Sequence, residues 1–251
     1  MTSRRRRSSR RRLHSPDQLL CDVDRSSGVL NCPLLFIQVT RLLCGGFVLA
    51  LRINHNISDG IGLGHFLSAV AELARGLPAR TTAPPPWSRE LLEARVPPRP
   101  AFPHRVYDAA PIPPPPPPPL GDMVVRTFTF ARRDVAAIKA SLLTHLHGTA
   151  TTFEALTAAL WCARTAARDL SPREEARLVC IVGFRGIREL GIPAGFYGNA
   201  GVPSAVLTTA GELQASSLGD TVEMVREAKA AVTAEYVRST IDLLVKLLFH
   251  C

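Results

Sequence analysis

The stretch RINHNISDGIGLG, Arg52 to Gly64, places one histidine, His55, four residues before Asp59 and follows that aspartate with glycine. A histidine can take a proton from a hydroxyl near neutral pH, because its ordinary pKa is about 6.5. Asp59 could orient the ring or turn away to pin the loop by pairing with an arginine. Gly60, Gly62 and Gly64 let another group approach the backbone closely. The same residues also read as a polar turn, in which Asn54, Asn56, Ser58 and Asp59 are turn formers and Ser58 or Asp59 caps the next helix. G-I-G-L-G is not a phosphate loop, since it lacks the G-x-G-x-x-G spacing and no Gly-Lys-Ser/Thr follows.

The flanks give this stretch a strand before it and a helix after it. LLFIQVT (Leu34 to Thr40) and FVLALRIN (Phe47 to Asn54) are apolar and β-branched, and Gly45-Gly46 between them marks a hairpin turn. Beyond the glycines, Leu63, Phe66, Leu67, Val70 and Leu73 recur at helical spacing with their stripe turned inward, and Gly76-Leu77-Pro78 stops the helix. From about residue 77 to 122 the chain is proline-rich, with APPPW at 83–87 and PIPPPPPPPL at 111–120, the latter polyproline II. A segment this long either wraps a surface or joins two subdomains.

After it, Val124 to Phe130 reads as a strand and Arg133 to Leu146 as a helix. Thr151 with Glu154 forms a capping box for a helix through Phe153, Leu156, Leu160 and Ala163. Arg177 to Gly183 and Ala200 to Thr209 read as strands. Thr221 to Arg238 reads as one helix with Val222, Val225, Val232 and Tyr236 inward. The apolar LLVKLLFHC closes the chain without a cap.

The 251 residues are 46% hydrophobic and 20% charged, enough for one large domain or two small ones. The net charge of +9 misleads: seven arginines fall in the first twelve residues, leaving about +2 for the rest. Residues 1–16 therefore read as a disordered tail, and nothing in the body continues a nucleic-acid-binding stripe. No run is long enough to span a bilayer, and the arginine-rich start lacks the apolar middle of a secretory signal. Six cysteines, Cys21, Cys32, Cys44, Cys162, Cys180 and Cys251, show no C-x-x-C pair, so no metal site is expected and the thiols read as reduced. No G-x-S-x-G offers a hydrolase serine.

Taken together, H-N-I-S-D-G (His55 to Gly60), LLFIQVTRLLCGGFVLALRIN before it, FLSAVAELARG after it, PPWSRELLEARVPPRPAFPHRVYD, TTFEALTAALWCART, LVCIVGFRG and GIPAGFYGNA form an ordered series. This series resembles the plant BAHD family of acyl-CoA-dependent acyltransferases, whose signature is H-x-x-x-D-G. The resemblance runs from about Asp17 to the C-terminus. It implies an α/β, chloramphenicol-acetyltransferase-like fold of two subdomains with mixed sheets and flanking helices, here incomplete. The expected division is residues 17–76 as a partial first subdomain, 77–122 as the crossover and 123–251 as a partial second subdomain.

By the same resemblance His55 is the general base that deprotonates an alcohol for attack on an acyl-CoA thioester. Asp59 and Gly60 are structural, with Arg185 the candidate partner of Asp59. Gly198 and Asn199 form a turn beside the active site, and Thr151 and Thr152 lie near the CoA channel. Acyl-CoA is expected as co-substrate with no bound cofactor and no metal, and a small alcohol as acceptor. The expected protein is a cytoplasmic monomer of specialised metabolism that engages neither nucleic acid nor membrane.

Two departures bear on this expectation. Family members have first-subdomain strands before the position of Gln18, and they carry a D-F-G-W-G motif that does not occur here. The sequence is thus expected to be truncated at both ends, and a catalytically inactive fragment that only binds is the alternative. Gly183 also stands where asparagine or aspartate is more usual. Condensation domains, which share the fold, carry a second histidine where this sequence has Asn54.

Overall fold

In the computed structural model, the described residues are 19, 32–77, 88–108, 124 and 126–249, with the side chain of Phe249 left aside. The arginine-rich tail, the APPPW segment and the polyproline run 111–120 lie outside the described residues. The chain separates into two compact units, Met1–Trp87 with Ala194–Asn199, and Ser88–Pro193 with Ala200–Cys251.

The first unit contains the expected hairpin. Strands β1 (Leu35–Arg41) and β2 (Phe47–Ile53) pair antiparallel, with Leu35 opposite Ile53 and Arg41 opposite Phe47. Gly45 makes the turn at φ +84°, a conformation that side chains disfavour, and Leu42 and Gly46 close it with a 2.8 Å hydrogen bond. Helix α1 (Gly60–Ala74) follows and ends at Gly76, φ +68°.

The inward stripe expected on α1 is only partly covered, with Leu63 and Leu67 half-buried. Ile37, Val39 and Phe47 on the hairpin, and Ile61 and Leu73 on α1, are exposed by half or more, and Phe66 and Val70 by more than a third. Strand alternation makes one hairpin face apolar up to Arg41 at its end: Leu35, Ile37 and Val39 lie across from Ile53, Leu51 and Leu49. Among the described residues no second layer covers that face, so periodicity correctly places these residues together but not in a core. The opposite face, half-buried, carries Phe36, with the Arg52 guanidinium 5.7 Å from its ring centroid.

The second unit holds the core. Its helices are α2 (Arg132–Ala140), α3 (Thr152–Ala167), α4 (Ala210–Ala215), α5 (Leu218–Ala230) and α6 (Ala234–Phe249), and its strands β3 (Glu175–Gly183) and β4 (Gly201–Thr209) pair antiparallel. One cluster joins Leu142, Leu146, Ala150, Ala155, Ala158 and Val222, and a second joins Trp161, Ala176 and Leu213. Burying such side chains stabilises by about 1.5 to 3 kcal/mol for each large one. The capping box forms as expected: Thr151 Oγ1 accepts from the Glu154 amide at 3.2 Å, and the Thr151 amide donates to Glu154 Oε2 at 2.9 Å.

Three boundary expectations need correction. Residues 126–130 are not a strand, because no neighbouring segment among the described residues takes their ladder hydrogen bonds. The helix expected to reach Leu146 stops at Ala140, where the Ser141 hydroxyl donates to the Ile138 carbonyl at 2.8 Å; a 3₁₀ turn over Thr144–Leu146 then lets both Leu142 and Leu146 enter the core. The single helix expected over 221–238 is two. Thr233 Oγ1 accepts from the Tyr236 amide at 3.2 Å and starts α6 afresh.

Of the segment expected as a crossover, residues 88–108 lie along α6. Asp242, fully buried, accepts the backbone N–H groups of Arg95 and Arg99 at 2.8 Å each and the Arg95 guanidinium at 2.7 Å. One turn earlier, Ser239 Oγ accepts the N–H groups of Ala101 and Phe102 and lies 2.7 Å from His104 Nε2. Burial pushes the Asp242 carboxyl up, but these N–H donors and the guanidinium outweigh it and hold it below the usual carboxylate range. Burial likewise lowers His104.

Candidate active site

Strand β2 runs out at Ile53, and the Asn54 amide still donates to the Leu34 carbonyl at 2.8 Å, so the chain is anchored up to the residue before His55. The next residues turn tightly. Asn54 Oδ1 accepts the Asn56 amide at 3.0 Å, and the Asn54 carbonyl accepts the Ile57 amide at 3.0 Å. His55 is thereby left exposed at a strand end.

Asp59 is the N-cap of α1. Its Oδ1 accepts the amides of Ile61 and Gly62 at 3.1 and 2.9 Å, which ends the loop as firmly as β2 begins it. Ser58, 5% exposed, has a buried Oγ without a hydrogen-bond partner among the described residues.

A second segment of the same unit closes on this loop. Asn199 Nδ2 donates to the His55 carbonyl at 2.7 Å. A Cβ on Gly62 would overlap the Tyr197 carbonyl, and one on Gly198 would meet the Phe196 ring at 2.7 Å. Close approach therefore requires glycine at 62 and 198. Gly60 and Gly64 stand in open space, so of the three glycines of the loop only Gly62 serves a contact.

Thus His55, Asp59, Gly60, Gly198 and Asn199 come together in one unit. The other predicted residues belong to the second unit: Arg185 is half-buried in the turn after β3, and Thr151 and Thr152 open α3, with the Thr151 hydroxyl engaged in the cap. Behind that cap, burial raises the Glu154 carboxyl, but Lys229 Nζ at 2.7 Å and the Thr151 amide bring it down to about 2. No group of three His, Cys, Asp or Glu that could hold a metal ion exists among the described residues, and none of the helices there is long and apolar enough to cross a membrane. The contact from Asn199 was beyond sequence reasoning, since 144 positions separate it from His55.

This architecture is a chloramphenicol-acetyltransferase-like α/β fold. The chain is similar to the TRI101 protein of F. graminearum solved with coenzyme A and deoxynivalenol, with a TM-score of 0.64 and 18% identity over 87% of this chain and 50% of that one. Vinorine synthase gives a TM-score of 0.57 at 15% identity, over 87% of this chain and 48% of that one. Residues 14–250 match the model of the Transferase family, and the chain belongs to that family, the BAHD acyltransferases. Among curated relatives, benzyl alcohol O-benzoyltransferase of Petunia hybrida is 47% identical over 229 residues, covering 91% of this chain and 49% of that protein. The enzyme of the same name from Nicotiana tabacum is 46% identical, and alcohol acyltransferase 1 of Actinidia deliciosa 42%, over similar shares. The chain spans about half the length of the curated relatives it matches.

Proposed function

We propose that the chain carries the histidine-bearing part of an acyl-CoA-dependent O-acyltransferase that moves an acyl group to the hydroxyl of a small alcohol. The observation that carries this reading is His55 itself, exposed at the end of β2 and tied on both sides, within a family whose curated relatives here are named for acyl transfer to alcohols. His55 accepts the hydroxyl proton as the alcohol oxygen bonds to the thioester carbonyl carbon. The tetrahedral intermediate collapses with rupture of the carbon–sulfur bond, and the departing thiolate takes the proton from the imidazolium. Ester and free CoA leave, and no other reactant is needed.

In this reading Asp59 acts structurally, through its cap on α1, and Arg185, Gly60 and Gly198 are structural as well. Thr151 and Thr152 are candidates for the CoA channel by family resemblance. Residues 17–76 and 123–251 correspond to partial subdomains, and the protein works as a cytoplasmic monomer in plant specialised metabolism. Incubating the purified chain with benzoyl-CoA or acetyl-CoA and a panel of alcohols tests the proposal, with ester as the expected product. The second reading, an inactive fragment that only binds, is favoured by the uncovered apolar face of the hairpin. Folded protein that makes no ester with any pair would decide for it.

A further inference from the structure

We infer that Asn199 is a positioning residue, its side-chain amide fixing the main chain of His55 and hence the direction in which the imidazole is presented. This rests on the reading of His55 as the base. Without Asn199, His55 is held only through its neighbours in the chain. On the N-terminal side the β ladder ends at the Asn54 amide. On the C-terminal side the turn is closed by bonds from Asn56 and Ile57, both back to Asn54, and neither engages the His55 carbonyl. The Asn199 bond, 2.7 Å from Nδ2 to that carbonyl, supplies the missing restraint. It orients the peptide plane after His55, so the residue is held at both ends.

The segment that delivers Asn199 is built for the purpose. Gly198 is buried where a Cβ would strike the Phe196 ring, and the Tyr197 main chain rests on Gly62 of α1. The segment therefore touches the histidine loop at two points, one before and one after the Asp59 cap. An amide is the chemistry this contact needs. Aspartate of the same shape would set lone pairs against the carbonyl oxygen, and alanine would leave the carbonyl to water.

Positioning matters because a displacement of about 1 Å at a reacting group can slow chemistry on the order of 100-fold. We therefore expect Asn199→Asp and Asn199→Ala to lower kcat by about 10- to 100-fold while KM for acyl-CoA stays within twofold. Ser68→Ala, on the exposed surface of α1, should leave both unchanged.

The experiment pairs these kinetics with amide hydrogen exchange over residues 53–63, in wild type and both variants. Turnover by wild type, with loss of kcat and faster exchange in the variants, supports the inference. Turnover with kcat retained in Asn199→Asp overturns it and leaves the base assignment standing. If wild type makes no ester, the functional reading fails, and exchange alone decides: faster exchange in the variants supports the restraint, and unchanged exchange overturns it. Should Asn199→Ala not fold, the equal-sized Asn199→Asp carries the comparison.

Discussion

Glu154 provides a quantitative test of what holds the second unit together. Its carboxylate is 5% exposed, accepts the Thr151 amide at 2.9 Å, and pairs with Lys229 Nζ at 2.7 Å and Arg226 at 3.5 Å. A carboxyl brought to about 2 from an ordinary 4.5 corresponds to about 3 kcal/mol of folding free energy at neutral pH. Lys229 is about one-third exposed, so water screens part of the attraction, and about 2 kcal/mol is the expected loss for Glu154→Gln. Glutamine keeps an oxygen for the Thr151 amide and loses the charge, so the cap survives while the ion pair does not.

Because the folded state depresses this pKa, the unfolded chain binds the proton more readily. The contribution is therefore fully present above pH 4.5 and disappears as pH falls towards 2. His104 and Asp242, both also lowered, further weaken the fold on acidification, but they are common to both proteins and cancel in the difference. Urea unfolding followed by far-UV circular dichroism at pH 7, 5, 4 and 3 should show the variant about 2 kcal/mol less stable at pH 7, with the gap closing as pH falls. A gap that stays constant from pH 7 to 3 would refute the assignment of this stability to the Glu154 charge.

Other substitutions test separate contacts. Asp242→Ala removes the acceptor for the Arg95 and Arg99 amides and leaves the Arg95 guanidinium with Glu235 and the Arg99 carbonyl; we expect a loss of about 3 kcal/mol and faster hydrogen exchange at residues 95–102. Ser58→Ala removes a buried hydroxyl that has no partner among the described residues, so thermal unfolding should show stability unchanged or raised by about 1 kcal/mol, whereas a marked loss would reveal a bond for that hydroxyl. Gly62→Ala forces a Cβ into the Tyr197 carbonyl and should cost about 1 to 3 kcal/mol, with faster exchange in residues 194–199.

What sequence could and could not tell follows the range of each interaction. The Thr151–Glu154 box and the Gly45 turn with its hairpin are local chemistry, legible from a few adjacent residues. The restart at Thr233 was also written locally, as a threonine hydroxyl three residues before Tyr236, but the apolar stripe through Val232 and Tyr236 masked it. Residues 126–130 have strand composition, yet a strand exists only when a distant neighbour pairs with it. The docking of residues 88–108 was hidden by their prolines. Its signal lay on the other side, in Ser239 and Asp242, spaced three apart in α6 and both fully buried.

At the site, His55 and Asp59 stand out by residue type and spacing, and the cap made by Asp59 was among the readings the pattern allowed. Which glycine touches another segment was not legible, because Gly60, Gly62 and Gly64 look alike until Tyr197 is placed against one of them. The bond from Asn199 to the His55 carbonyl belongs to the same class of information, as it depends on the fold rather than on any neighbour in sequence.

The central claim, that His55 serves as the base for acyl transfer to an alcohol, is tested most directly by comparing ester formation from benzoyl-CoA and benzyl alcohol by the wild-type chain and by His55→Ala at equal folded concentration. Loss of a general base should slow the reaction by about 100- to 10,000-fold. Ester formed at the wild-type rate by His55→Ala would contradict the account.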